Sequence, residues 1–237
     1  MSGRGRTVSV KVRLLSYNVR SLRDDPHALV RVIRACAPDV VCLQEAPRFF
    51  RWRKHAADLA RRTGLVTVTG GAPSCGTMIL SGLRAAVERT EETTFPLVRG
   101  EHRRGLAVAG LRFGREARLS VVSCHLSLRD AERRAQGEEL LERVAAFDTP
   151  AVVAGDINER PTGATFRRLA GALTDARERA PVGGEFTFPA AAPRRRIDGV
   201  FCSDGVTALS CGVPTAPDSD DLAAASDHLP VLAVLSL

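Results

Sequence analysis

Apolar residues are arranged along this chain in two rhythms. Short unbroken runs rich in valine, leucine and isoleucine occupy residues 12–19, 40–44, 77–80, 106–111, 119–125, 151–154, 197–202 and 231–235. Bounded by polar and turn-forming residues, such runs predict strands buried on both faces. Apolar positions recur instead at three- and four-residue spacing over residues 26–36, 52–63 and 131–147, and over the shorter stretch 165–173, which predicts helices.

The order of these elements narrows the architecture. Strand and helix alternate at first, but residues 77–125 hold strands alone. That switch excludes a simple doubly wound parallel sheet and predicts mixed sheets with helices outside them. Segments 180–193 and 213–225 are rich in Pro, Gly, Ala and Asp, and are expected to be surface connections near the functional face. With 237 residues, 44% of them hydrophobic, the chain suits a single core, so residues 1–237 are expected to form one domain.

Polar residues with chemical potential recur at the C-terminal ends of the apolar runs. LLSYN ends at Asn18, VVCLQE at Glu45 and VVSCH at His125, while VVAGDIN places Asp156 and Asn158. RRRID adds Asp198, and SDH adds Asp227 and His228. Singly, each has an ordinary reading. GDIN makes a turn, SDH caps a helix, Glu45 is a solvated acid, His125 is a core histidine, and Asp198 pairs with a neighbouring arginine. Repetition at strand ends is what points to one functional face, because strand termini open onto loops where a ligand approaches. Glu45, Asn18 and Asp227 are hard oxygen ligands of the kind magnesium takes, and no thiolate or multi-histidine set suggests zinc. A phosphate ester needs its oxygens neutralised, a water activated and a leaving group assisted, and these residues offer candidates for all three tasks.

Charge and composition refine the picture only slightly. The formal net charge is +7, carried almost wholly by arginine, since lysine occurs only at Lys11 and Lys54. An arginine-rich surface attracts anions, although a codon bias toward arginine and alanine accounts for it equally well. Aromatic residues are 5% of the chain, so contacts to a nucleic acid are expected mainly at backbone phosphates rather than by stacking. Cys36, Cys42, Cys124 and Cys202 sit in or beside apolar runs without metal-finger spacing and are expected to be free buried thiols. No stretch is long and apolar enough to cross a bilayer, and the N-terminus is basic without a leader's hydrophobic segment. A cytoplasmic monomer without stable membrane association is the expectation.

Taken together, SYNVRSL, CLQE, SCHL, AGDINERP, RRRIDGVF and SDHLPV resemble the ordered signature of the endonuclease/exonuclease/phosphatase superfamily. The resemblance runs from Asn18 to His228, with GTMILS and HRRGLAVAGLRF in the places of intervening strands. It implies an α/β fold, a four-layer α/β/β/α sandwich of two mixed β-sheets packed face to face with helices outside. It also implies Glu45 as principal ligand of Mg2+, with Mn2+ as a substitute, and Asn18 and Asp227 assisting. His228 would contact the scissile phosphate as acid or base, Asp198 would orient it, and Asp156 would activate the water or protonate the leaving group. Asn158 would hold phosphate or nucleophile, and His125 would donate to a phosphate or leaving-group oxygen. Histidine at position 125 matches the deoxyribonuclease and sphingomyelinase branches. Arg20, and arginines at 194–196, depart from the abasic-site branch.

The leading expectation is therefore a magnesium-dependent phosphodiesterase acting on nucleic acid. The alternative is a phosphomonoesterase or lipid phosphodiesterase, like a sphingomyelinase or inositol phosphatase, acting on a small head group. A catalytically silent binding module ranks behind both, because every expected ligand and histidine is present.

Overall fold

The computed structural model describes residues 9–100 and 102–237, so residues 1–8, part of the basic N-terminal stretch read above, lie outside the described residues. Along the chain come β1 (Lys11–Asn18), α1 (Pro26–Cys36), β2 (Val40–Gln44), α2 (Trp52–Thr63), β3 (Val66–Gly70) and β4 (Met78–Ser81). A run of long strands follows, β5 (Ala85–Thr94), β6 (Gly105–Phe113) and β7 (Ala117–His125), and then α3 (Asp130–Ala145). The remainder is β8 (Ala151–Asp156), α4 (Ala164–Ala172), β9 (Thr174–Asp175), α5 (Ala176–Arg179), β10 (Asp198–Cys202), β11 (Thr207–Gly212), α6 (Ser219–Ala225) and β12 (Val231–Ser236).

These strands form two six-stranded sheets, ordered β11-β12-β1-β2-β4-β3 and β5-β6-β7-β8-β10-β9. Both are mixed. In the first, β1 runs parallel to β2 and antiparallel to β12; in the second, β7 runs parallel to β8, which is antiparallel to β10.

Strand alternation sorts the side chains into layers. Leu15, Tyr17, Val41 and Leu43 face outward onto α1, α2 and α6, while Val12, Leu14, Val40 and Cys42 face the other sheet. Likewise Val122, Cys124, Val153 and Phe201 pack under α3 and α4, and Val121, Val152, Ala154 and Val200 turn inward. The result is the expected helix, sheet, sheet, helix sandwich. Both faces of the central strands are covered, which is why VVCLQ is buried at every position and reads as an unbroken apolar run. Truncating one of these side chains, as in Leu43→Ala, would cost about 2–5 kcal/mol.

Helix boundaries follow local chemistry. Asp25 caps α1 by accepting from the amides of His27 and Ala28, with Pro26 at the first helical position. Gly64 ends α2 at a φ of 75°. The expected helices 26–36 and 52–63 are found with those bounds, and 131–147 and 165–173 shift by a residue or two to α3 and α4.

The differences lie at the periphery. Strands β3, β5, β9 and β11 were not expected, and each stands at a sheet edge. An edge strand needs no continuous apolar run, and β5 shows this, with Glu88, Arg89 and Thr90 all exposed. The segment 213–225, expected to be a loop, ends in α6, which Asp218 caps through the amide of Asp221. Among the described residues, no helix is long and apolar enough to cross a membrane.

Candidate active site

Parallel and antiparallel pairing together bring the expected residues to one end of the sandwich. His125 lies opposite Asp156 in the β7–β8 register, and Asp198 lies opposite Asp156 in the β10–β8 register. Across the gap between sheets, Asn18 at the end of β1 donates from Nδ2 to Asp156 Oδ2 at 3.0 Å. A second stitch nearby joins the Ser123 hydroxyl to the Leu43 carbonyl at 2.9 Å. Close packing just before Asp156 requires glycine, because a Cβ at Gly155 would stand 1.9 Å from the carbonyl oxygen of Cys124.

Asp156 Oδ2 is the hub. Beside the Asn18 amide it meets His125 Nε2 at 3.4 Å and His228 Nε2 at 3.7 Å. Its Oδ1 accepts from the backbone amide of Asn158 at 2.9 Å. Asn158 sits at a φ of 57° and donates its side-chain amide to the Leu126 carbonyl at 2.9 Å, which fixes the turn after β8. On its other side, His228 holds Asp198 Oδ2 through Nδ1 at 3.0 Å, and the Phe188 ring lies 4.8 Å from the imidazole, centroid to centroid.

The two histidines have opposite charge states. Burial drives His125 well below the ordinary histidine range, and the Arg104 guanidinium adds to the effect. Arg104 Nη1 lies 3.0 Å from His125 Nδ1. A guanidinium only donates, so Nδ1 accepts and the proton of the neutral ring sits on Nε2, facing Asp156. For His228, burial also favours the neutral ring, but the attraction of Asp198 and Asp156 and the hydrogen bond to Asp198 outweigh it and push the group up to about 10. Burial pushes Asp156 up to about 7, reinforced by the nearby Asp198 charge and opposed by His228 and the Asn18 amide.

Glu45 and Asp227 adjoin this buried floor in the chain, next to Gln44 and His228, and are less buried than it. Glu45 follows β2, whose Gln44 pairs with Asn18, and it adopts a left-handed φ of 49° while its carbonyl accepts from the Ser21 amide at 2.8 Å. It is half-buried. Asp227 lies next to Ser226, whose hydroxyl donates to the Asn18 carbonyl at 2.7 Å. The Asp227 carboxylate is 3.3 Å from Arg20 Nε, and the Arg20 amide donates to Asn18 Oδ1 at 3.1 Å.

Two groups of side chains bear on a metal. Asp156, Asp198 and His228 offer atoms within 4.8 Å of one another, but a charged His228 already bonded to Asp198 has no lone pair to give. Glu45, Asp227 and Asn18 offer oxygen ligands alone, and Glu45 and Asp227 are partly exposed, which fits a hard cation that keeps part of its water shell.

Arg104 and Phe188 went unread in the sequence. The signal for Arg104 was the hairpin register, in which Leu106 opposes Cys124 and so brings Arg104 beside His125. Asp198 does not pair with an adjacent arginine, since Arg196 binds Asp175 instead.

Comparison with known proteins places this arrangement. The family model described as Endonuclease/Exonuclease/phosphatase family matches residues 15–228. Among solved structures, the endonuclease/exonuclease/phosphatase from Bacteroides vulgatus superposes with a TM-score of 0.79 at 20% identity, covering 96% of this chain and 99% of that one. Humanized D. rerio TDP2, carrying 14 mutations, gives 0.77 at 22% identity, with 95% and 98% covered. The mannosyl-6-phosphatase Bt3783 of Bacteroides thetaiotaomicron VPI-5482 gives 0.73 at 17% identity, with 94% and 99% covered. A search of curated proteins finds no match. At these identities the structural likeness speaks for the fold, while the family match spans every motif from Asn18 to His228. The chain belongs to the endonuclease/exonuclease/phosphatase family, whose members are hydrolases acting on phosphate esters.

Proposed function

We propose that this protein is a magnesium-dependent phosphodiesterase that cleaves nucleic acid, with its chemistry centred on Asp156 and His228. One observation carries the reading: a buried carboxylate raised to about 7 stands between a neutral histidine and a charged one. A group titrating near neutrality both takes and returns a proton, so Asp156 serves as the base toward water. His228, kept protonated by Asp198, serves as donor to the phosphate oxygens, where negative charge grows during the reaction. The neutral Nε2–H of His125 and the side-chain amide of Asn158 are further donors. Arg104 occupies the His125 lone pair, which argues against that ring as a base.

Glu45, Asn18 and Asp227 would hold the cation. Bound there, a magnesium ion supplies positive charge to the non-bridging oxygens and leaving oxygen. Manganese, which also takes oxygen ligands, is expected to substitute. The arginine-derived charge of +7 favours a polyanion over a small neutral head group. All six cysteines are free and five are buried, which suits a reducing cytoplasm.

The test compares plasmid DNA, RNA, bis(p-nitrophenyl) phosphate, p-nitrophenyl phosphate and inositol phosphates, each with magnesium and with EDTA. Metal-dependent cleavage of nucleic acid that weakens steeply with salt supports the proposal. Turnover of monoesters alone would favour a phosphomonoesterase instead, the chemistry for which the Bacteroides structure Bt3783 is named.

A further inference from the structure

Although aromatic residues are 5% of the chain, Phe49, Phe50 and Trp52 lie together just after Glu45. Phe49 is 73% exposed and Phe50 82% exposed, against the rule that such rings are buried. Each ring in the segment carries a guanidinium: Arg48 stands 5.1 Å from the Phe49 centroid, Arg51 stands 5.1 Å from Phe50, and Arg53 stands 4.4 Å from Trp52.

The segment is held in place. Arg48 also donates to the Cys75 carbonyl at 3.1 Å, and Arg51 takes a left-handed φ of 55° as α2 begins. Trp52 is half-buried against the chain at Gly71, where an added Cβ would meet its ring at 2.5 Å. The two phenylalanines thus stand out from a fixed base rather than from a slack loop.

We propose that residues 48–53 form a platform on which unpaired bases of a single-stranded nucleic acid stack, leading the strand toward the site. The inference rests on the phosphodiesterase reading above and gives it a substrate class. An exposed ring stacks on any base, because every base has a π-face, and only an unpaired base presents one. Guanidiniums over the rings extend the stack and meet the phosphates between bases. A membrane-inserting surface needs contiguous apolar area, whereas each of these rings is interleaved with Arg48, Arg51 and Arg53. Composition alone suggests little stacking, and position adds to that picture: the aromatic residues are few, but three of them are grouped beside Glu45 in the chain.

Trp52 is the only tryptophan, so its fluorescence reports on this segment. The full chain is titrated in EDTA, which blocks turnover, with an oligothymidylate of roughly 12 nucleotides and with an abasic oligomer of equal length and charge. The thymidylate is expected to bind at least about tenfold more tightly than the abasic oligomer. Phe49→Ala/Phe50→Ala is expected to remove that preference, and Phe49→Leu/Phe50→Leu to remove it equally, since leucine keeps the apolar bulk without the ring face. Circular dichroism and melting of both variants confirm folding.

Equal binding of the two oligomers by the natural protein would overturn the platform. So would a preference that survives in the leucine variant. Vesicles of phosphatidylcholine with phosphatidylserine form a third arm: quenching by vesicles that persists in the leucine variant, without a base preference, would assign the segment to a lipid surface instead. Hydrolysis of bis(p-nitrophenyl) phosphate by the natural protein with magnesium is read separately. Its failure would remove the proposed reaction while leaving a measured base preference intact.

Discussion

The floor and the rim of the site are made of similar residues in different surroundings. On the floor, Asp156, Asp198, His125 and His228 are each less than a tenth exposed, and they meet one another at 3.0 to 3.7 Å. At the rim, Asp227 and Arg20 pair with side chains 36% and 46% exposed. Water screens such a pair, so it contributes about 1 kcal/mol or less, and its members exchange partners readily. The contrast separates two tasks. Buried charges that cannot relax are suited to moving a proton, and solvated ones to letting a cation arrive and leave.

The comparison is most exposed at the floor. His228→Ala and Asp156→Asn should each lower kcat on a diester by about 10²–10⁴ at saturating magnesium, with folding retained by circular dichroism. Full activity in either would mean that the proton-moving residues lie elsewhere.

Asp198→Asn should cost about 10–100-fold in kcat, as loss of an orienting partner does. In metal-free protein, imidazole nitrogen shifts should show His228 titrating near 10 in the natural chain. In the variant the group should titrate lower than in the natural chain, because burial then acts with less opposition while Asp156 still raises it. The sign follows for stability. A histidine raised on folding stabilises fully below about 6.5, its unfolded value, and loses that contribution as pH climbs through the folded value. Melting temperature should therefore fall between pH 7 and 10 in the natural chain, and less in Asp198→Asn.

At the rim, Glu45→Gln should raise the magnesium needed for half-maximal rate by at least the tenfold or so that follows loss of a supporting group, with kcat partly recovered at high metal. A loss of kcat that metal cannot relieve would place Glu45 with the floor. The smallest effect belongs to Arg20→Ala. Stability should change by less than about 1 kcal/mol, and half-maximal magnesium should fall slightly, since Asp227 loses a competing cation.

What the sequence revealed follows the same division between inside and edge. Central strands such as β2 and β7 were legible because burial on both faces demands unbroken apolar runs. The polar residues that end those runs stood out for the same reason, and Asn18, His125, Asp156, Asn158, Asp198 and His228 lie in one connected cluster. Edge strand β5 was illegible because solvent tolerates Glu88, Glu91 and Thr93 there, and α6 because seven residues give no helical rhythm. The state of His125 was beyond reach as well. It depends on Arg104 lying beside the ring, a fact of strand register rather than of local sequence. Exposure of Phe49 and Phe50 was hidden too, because composition counts rings without saying which face water.

Asn18, on one sheet, and Asp156, on the other, clasp hands across the interior. Neither half of the sandwich owns a complete set of working groups, so the protein has no intermediate grade of competence to fall back on. Heat or denaturant that eases the sheets apart should silence the enzyme before its helices melt, making lost activity an early warning of unfolding.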